Sequence, residues 1–145
     1  MRIAVISDTH NRLPEHVIAA IREADEIWHL GDVTDVDIVE TLRSLGPPLR
    51  VVRGNCDECG EWPRFLDFML AGQFIRLEHV PPRQPPEPFD LLLHGHTHVP
   101  RDEMVRGTRY LNPGTVGNPN KGLPASYAWL TLVEGEPPDW RIVRV

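Results

Sequence analysis

Short apolar runs alternate with amphipathic stretches through the first third of the chain. Residues 2–7 are an apolar run that stops at Asp8, which predicts a buried strand with a loop at Asp8-Thr9-His10-Asn11. Leu13, Val17 and Ile21 then recur at helical spacing, and Pro14 suits the first turn of that helix. Residues 26–30 read as a second strand ending at Gly31-Asp32. Ile38, Leu42 and Leu45 mark the apolar face of a second helix, with Thr34 as its cap, Asp37 as the capping-box partner and Gly46-Pro47 as its stop. A third strand over 49–53 opens into Gly54-Asn55-Cys56-Asp57. This β-α-β-α-β order predicts an α/β protein with a parallel sheet and helices packed on it.

The second half loses the helical period. Residues 64–70 and 73–79 pattern as a hairpin about Ala71-Gly72, its second arm ending in Glu78-His79. Residues 80–89 hold five prolines and cannot be helix. A strand over 90–94 follows, then hairpins 99–106 with 108–112 about Gly107, and 125–133 with 139–145 about residues 135–138.

The chemistry concentrates where the apolar run Leu91-Leu92-Leu93 meets His94-Gly95-His96-Thr97-His98. Alternate residues of extended chain point the same way, so His96 and His98 can share a pocket. Imidazole is the commonest metal ligand. Ligand-type residues recur just after the predicted strands: Asp8 and His10, Asp32, Asn55, His79, then His96 and His98. Open α/β sheets build their sites at the carboxyl ends of parallel strands. One such Asp is ordinary turn chemistry, but this series is hard to explain by turns alone. Mixed oxygen and nitrogen donors suit Mn, Fe, Zn or Ni better than Ca or Mg. Seven ligands exceed one tetrahedral ion and suit two, an arrangement that attracts phosphate oxygens and acidifies a bound water.

Composition narrows the partners. The chain has 145 residues, 25% charged and 41% hydrophobic, as expected for one globular domain. Fifteen basic against 21 acidic residues give a net charge of −6, which argues against a non-specific nucleic-acid or membrane surface but not against a small phosphorylated substrate. The opening apolar run is too short for a signal peptide or a membrane span, so a cytoplasmic location is expected. Cys56 and Cys59 form a C-x-x-C pair without a second pair or a redox context, and read as two thiols in a reducing compartment.

Asp8-Thr9-His10, Gly31-Asp32-Val33-Thr34-Asp35, Gly54-Asn55-Cys56-Asp57 and Gly95-His96-Thr97-His98 resemble, in order, the motifs of the calcineurin-like metallophosphoesterases. Asn112-Pro113-Gly114-Thr115 adds to the resemblance, which is closest to small bacterial and archaeal phosphodiesterases of the YfcE type. It covers nearly the whole chain. It implies a four-layer α/β/β/α sandwich and a metal-dependent phosphodiesterase using two divalent ions, most plausibly Mn²⁺, with Ni²⁺, Fe²⁺ or Zn²⁺ as alternatives. Carried over, one ion is held by Asp8, His10, Asp32 and His98, and the other by Asp32, Asn55, His79 and His96. Asp32 and a hydroxide then bridge the ions, and the hydroxide attacks phosphorus in line with the leaving oxygen. His29, Cys56, Asp57 and His94 fall into supporting positions. The alternatives are a phosphomonoesterase, or a scaffold of this fold that binds protein partners.

Three departures from that pattern matter. Many superfamily members have His where this chain has Cys56, whose thiol is a weaker donor to a leaving group. In this the chain resembles members with Cys, phosphodiesterases that favour good leaving groups, and modest turnover is expected. Val80-Pro81 replaces the glycine that usually follows the histidine at His79. The helix usually found before the Gly-His-x-His strand is missing, leaving the proline-rich stretch to cross one sheet face. Ten residues at about 3.1 Å each reach roughly 30 Å, enough for that crossing. A face left uncovered there would suit a homo-oligomer contact. Trp28, Trp62, Trp129 and Trp140 read as packing residues, and Arg83, Arg101, Arg106 and Lys121 are the cations considered for substrate contact.

Overall fold

The computed structural model describes residues 1–58, 60–85, 88–119 and 122–145. Cys59 and Lys121, named above, lie outside them. Two five-stranded sheets are stacked face to face. The first is built from β1 (Arg2–Ile6), β2 (Glu26–His29), β3 (Leu49–Val51), β9 (Ser126–Thr131) and β10 (Asp139–Arg144) in the order β10-β9-β1-β2-β3. Its β1-β2-β3 part is parallel, as the β-α-β-α-β pattern predicts, and the terminal hairpin extends it antiparallel from β1. The second holds β4 (Phe65–Leu70), β5 (Gln73–Glu78), β6 (Leu91–Leu93), β7 (Arg101–Val105) and β8 (Thr108–Asn112), ordered β4-β5-β6-β8-β7. Its central β5-β6-β8 strands are parallel. Both sheets therefore deliver parallel strand ends to the same edge of the sandwich, where ligand-type residues follow.

Alternation along the strands fixes two cores. Ile3, Val5, Trp28 and Leu130 of one sheet meet Ile75, Leu77, Leu91, Leu93 and Leu111 of the other in the inter-sheet core. On the outer face of the first sheet, Ala4, Ile6, Ile27 and Trp129 pack against α1 (Glu15–Ile21) and α2 (Val36–Ser44) through Val17, Ile21, Ile38, Val39 and Leu42. Trp28, Trp62 and Trp129 are buried and Trp140 is half-buried, as packing residues should be.

Both helix starts differ from expectation. Pro14 is the cap residue, held extended at φ −63° and ψ 142°, and the helix begins at Glu15. Asp35, not Thr34, caps α2 by accepting from the backbone N–H of Asp37. Thr34 is drawn into the site instead: its N–H donates to Asp57, its hydroxyl donates to Asn11, and its φ of +62° cannot begin a helix.

Helices cover only the first sheet among the described residues. On the outer face of the second sheet lie the described parts of the proline-rich segment, before and after residues 86–87. Phe89 stacks on Phe74 at 4.5 Å between centroids, its carbonyl accepts from the Thr108 hydroxyl, and the Pro82 carbonyl accepts from Tyr110. Leu92 and Tyr110 on that face are fully buried, so the expected bare patch shrinks to the β4 edge, where Phe65 and Met69 are exposed. No helix among the described residues is long and apolar enough to cross a membrane.

Candidate metal centre

The loops after β1, β2, β3, β5 and β6 converge, and close backbone approach makes this workable. Gly31 has a φ of +94°, and a Cβ there would lie 2.7 Å from the Gly54 nitrogen and 2.9 Å from His79 Nδ1. Asp57 ties the loops together, its carboxylate accepting from the N–H groups of Asp32 (2.9 Å), Gly54 (2.7 Å) and Thr34 (2.8 Å). Asp8, His10, Asp32, His96 and His98 all have φ between +42° and +68°, a region non-glycine residues seldom occupy. Such backbone strain persists where surrounding contacts over-determine it, commonly at functional sites.

Two carboxylates lie at the bottom. Asp8 Oδ2 accepts from the Ser7 hydroxyl and the His96 N–H, while Oδ1 has no hydrogen-bond partner among the described residues. Asp32 Oδ1 accepts from the Cys56 N–H at 2.8 Å, leaving Oδ2 turned toward the imidazoles. His98 Nε2 is 3.1 Å from Asp8 Oδ1, and His10 Nε2 is 3.8 Å from it and 3.6 Å from Asp32 Oδ2. His79 Nε2 is 3.2 Å from Asp32 Oδ2 and 3.9 Å from Asp8 Oδ1. Asn55 and His96 pair at the exposed rim, with His96 Nδ1 2.9 Å from Asn55 Oδ1.

Backbone carbonyls fix which ring nitrogens carry lone pairs. His79 Nδ1–H donates to the Leu30 carbonyl (2.8 Å) and His98 Nδ1–H to that of Asn118 (2.9 Å). In the neutral rings Nε2 is then an acceptor aimed at a carboxylate, itself an acceptor. Acceptors facing acceptors in a buried site require a cation between them. Without one, a proton takes its place on His79: burial works against the charge, but the Asp32 and Asp8 carboxylates overcome it and raise its pKa. Burial raises the pKa of Asp8, although His79 and Ser7 oppose this. Burial acts on Asp32 in the same sense, yet hydrogen bonds from His79 and the Cys56 N–H hold it well below the usual carboxylate range. The donor set fits divalent metal: Asp8, His10 and His98 form one group with mutually close ligand atoms, and Asp8, Asp32 and His79 another.

The supporting residues separate from these. His29 is fully buried with both nitrogens engaged: Nδ1 accepts from the Gly31 N–H and Nε2–H donates to the Thr9 hydroxyl, each at 3.1 Å. Burial, with His79 nearby, pushes it down to about 3. His94 is buried beside the Gly95 carbonyl and pushed down by burial to about 4. The Cys56 thiol lies at the rim near His10 and Asp32; what burial it has, together with Asp32, raises its pKa and keeps it protonated. The motif residues Asn112 and Thr115 carry a role that sequence reasoning left unassigned. Asn112 Nδ2 donates to the Gly95 carbonyl and Thr97 hydroxyl, and the Thr115 hydroxyl donates to the Asp8 carbonyl. They brace the His96–His98 loop and the Asp8 loop.

His29 predicts a pH effect. The unfolded ring takes its proton near pH 6.5, whereas the folded ring does not until about 3. Its stabilising contribution is therefore complete above 6.5 and is lost as pH falls toward 3, at up to about 1.4 kcal/mol per pH unit. Between pH 7.5 and 5, the metal-free His29→Asn variant should lose about 2 kcal/mol less stability than the parent in denaturant titrations. Equal losses would show that His29 does not drive the acid sensitivity.

Comparison with known proteins agrees with this geometry. The calcineurin-like phosphoesterase superfamily domain matches residues 1–135. A probable metallophosphoesterase of Methanothermobacter thermautotrophicus is 33% identical over 162 aligned positions, covering 99% of this chain and 92% of that protein. The structure of the YfcE phosphoesterase of Escherichia coli superposes with a TM-score of 0.78 at 30% identity, covering 90% of this chain and 88% of that one. Vps29 of Entamoeba histolytica complexed with zinc has a TM-score of 0.79 at 20% identity, covering 99% of each chain, a likeness of fold. With a family match over nearly its whole length and a well-covered metallophosphoesterase relative, the chain belongs to the hydrolytic calcineurin-like phosphoesterase superfamily.

Proposed function

We propose that this metallophosphoesterase is a phosphodiesterase working with two divalent ions, most plausibly Mn²⁺. The observation that carries the reading is the buried Asp8 Oδ1, which has no hydrogen-bond partner among the described residues and faces His79 Nε2 across 3.9 Å. Asp8, His10, Asp32 and His98 would hold one ion, and Asp32, Asn55, His79 and His96 the other. Asp32 can serve both, because its Oδ2 faces His10 on one side and His79 on the other. Such ions supply Lewis acidity to the phosphoryl oxygens and an acidified water as nucleophile. The chain's own part is to fix the ligands. Leu30 and Asn118 orient two imidazoles, Asp57 holds the β2 and β3 loops in register, and hydrogen bonds from His79 and the Cys56 N–H keep Asp32 ionised.

The protonated Cys56 thiol at the rim is a weak donor to a departing oxygen, which favours esters whose leaving group needs little help. On the diesterase reading the Mn²⁺-loaded protein should cleave bis-p-nitrophenyl phosphate at least about tenfold faster than p-nitrophenyl phosphate; both release the same p-nitrophenolate, so the ratio reads diester against monoester preference and not leaving-group help. Elemental analysis should find two ions per chain, with His98→Ala emptying one site and His96→Ala the other. One tightly held ion would overturn the two-ion reading, and a faster monoester reaction would favour the phosphomonoesterase. A loaded protein that cleaves neither ester would favour the scaffold.

A further inference from the structure

A cleft of about 780 Å³ opens from the Asn55–His79 end of the site and continues past Arg53 and Arg64 to Phe65 and Val80. The Arg53 N–H donates to the Pro63 carbonyl at 2.8 Å, which brings the Arg53 and Arg64 segments side by side. Neither guanidinium has an ion pair or side-chain hydrogen bond among the described residues. Three other arginines near the second sheet are committed elsewhere. Arg76 pairs with Asp67 at 2.6 Å, Arg101 with Glu103 at 2.7 Å, and Arg106 donates to Gln84 at 2.9 Å.

The cleft's carboxylates do not neutralise the two arginines. Asp57 already accepts from three backbone N–H groups, and Glu78 is half-buried with the Arg76 guanidinium acting on it. Two cations lining one cleft at the mouth of a phosphoester site, without an ion-pair partner among the described residues, form an anion seat. Beyond them, Phe65 is half exposed, has the Arg76 guanidinium 4.4 Å from its ring centroid, and stands with exposed Val80. A second hollow of about 700 Å³ adjoins the site at Asn11 and Cys56 and is acidic, lined by Asp35 and Glu58 with no basic residue among its described lining. Charge therefore directs an additional anionic group to the arginine side.

We propose that the arginine cleft seats one substituent of the diester and that this substituent is a nucleotide, its additional phosphate on Arg53 and Arg64 and its base against Phe65 and Val80. The assignment rests on the phosphodiesterase reading but is tested by binding. Calorimetric titration of the full Mn²⁺-loaded chain with thymidine 3′,5′-bisphosphate and with thymidine 5′-monophosphate compares a ligand that reaches the seat with one that does not. The bisphosphate should bind at least about tenfold more tightly at low salt, a ratio that falls as salt rises. Arg64→Gln should reduce that ratio to about threefold or less, Arg53→Gln should do the same, and Arg64→Lys should retain part of it. Arg64 is exposed, so its variants should fold, and circular dichroism checks this. Equal affinities in the parent, or a ratio unchanged by folded Arg64→Gln, would overturn the proposal. A retained, arginine-dependent ratio in a protein that cleaves no diester would support the nucleotide seat while removing the hydrolytic reading.

Discussion

Replacing Asp8 by Asn is expected to abolish hydrolysis of bis-p-nitrophenyl phosphate while leaving the metal-free protein as stable as its parent, or more so. The two effects separate because burial costs the Asp8 charge more than His79, Ser7 and His98 beside it return. It is fully buried, one oxygen is served by Ser7 and His96, and the other has no partner. Burial raises its pKa, so the ionised carboxylate is a burden on the metal-free fold. An Asn amide can keep the oxygen that Ser7 and His96 use and donate its NH₂ toward His98 Nε2, now 3.1 Å from Asp8 Oδ1. The same exchange removes a ligand charge from the ions. Activity should fall well beyond the roughly 10–100-fold cost of losing a supporting partner alone. Thermal melts with and without Mn²⁺ give the second readout: the parent should rise on adding metal and Asp8→Asn should not. A variant that keeps the Mn²⁺ shift would remove Asp8 from the ligand set.

How much of this was legible beforehand follows from the kind of signal each feature leaves in sequence. Strand ends were legible because apolar runs stop abruptly at Asp8, Gly31, Gly54 and Gly95, and because the residues that follow are ligand types. The crossing without a helix was legible from prolines and reach. The α2 cap was not, since Thr34 and Asp35 are both good caps; a contact with Asp57, 23 residues away from Thr34, decided between them. The left-handed backbone at five of the seven candidate ligands left no trace either, because its usual marker is glycine and these positions hold Asp and His. Arg53 and Arg64 were passed over for arginines of the second half. Nothing local joins them; the Arg53–Pro63 hydrogen bond does. The geometry adds a limit to the ligand assignment, in that Asn55 and His96 stand at the exposed rim while the other five pack more tightly below.

Gly54→Ala should be a severely damaging single-methyl change at the site. The requirement here is space rather than conformation. A Cβ at Gly54 would land on the Asp32 amide nitrogen and carboxylate oxygen, with the carboxylate carbon at 2.8 Å. Backbone and a buried carboxylate cannot swing away as the tip of a long side chain could. Separating the two loops is opposed by Asp57, which accepts from both Asp32 and Gly54, and by Gly31, itself packed on the Gly54 backbone. Relief must break the Asp57 clamp or shift Asp32 away from the Cys56 N–H. Overpacking costs about 1–3 kcal/mol, and a lost charge-assisted hydrogen bond adds roughly 1.5–3 kcal/mol. At about 2–4 °C per kcal/mol for a chain of this size, the melting temperature should fall by about 10 °C. Metal uptake should fail with it, because Asp32 is the carboxylate proposed to serve both ions. Gly60→Ala supplies the control: nothing lies within 4 Å of a Cβ there, and its φ is not in the left-handed region. That change should stay within about 0.5 kcal/mol. If the two variants melted together and Gly54→Ala still bound two ions, the β2 and β3 loops would be free to part, and the close approach would not be what holds Asp32 in place.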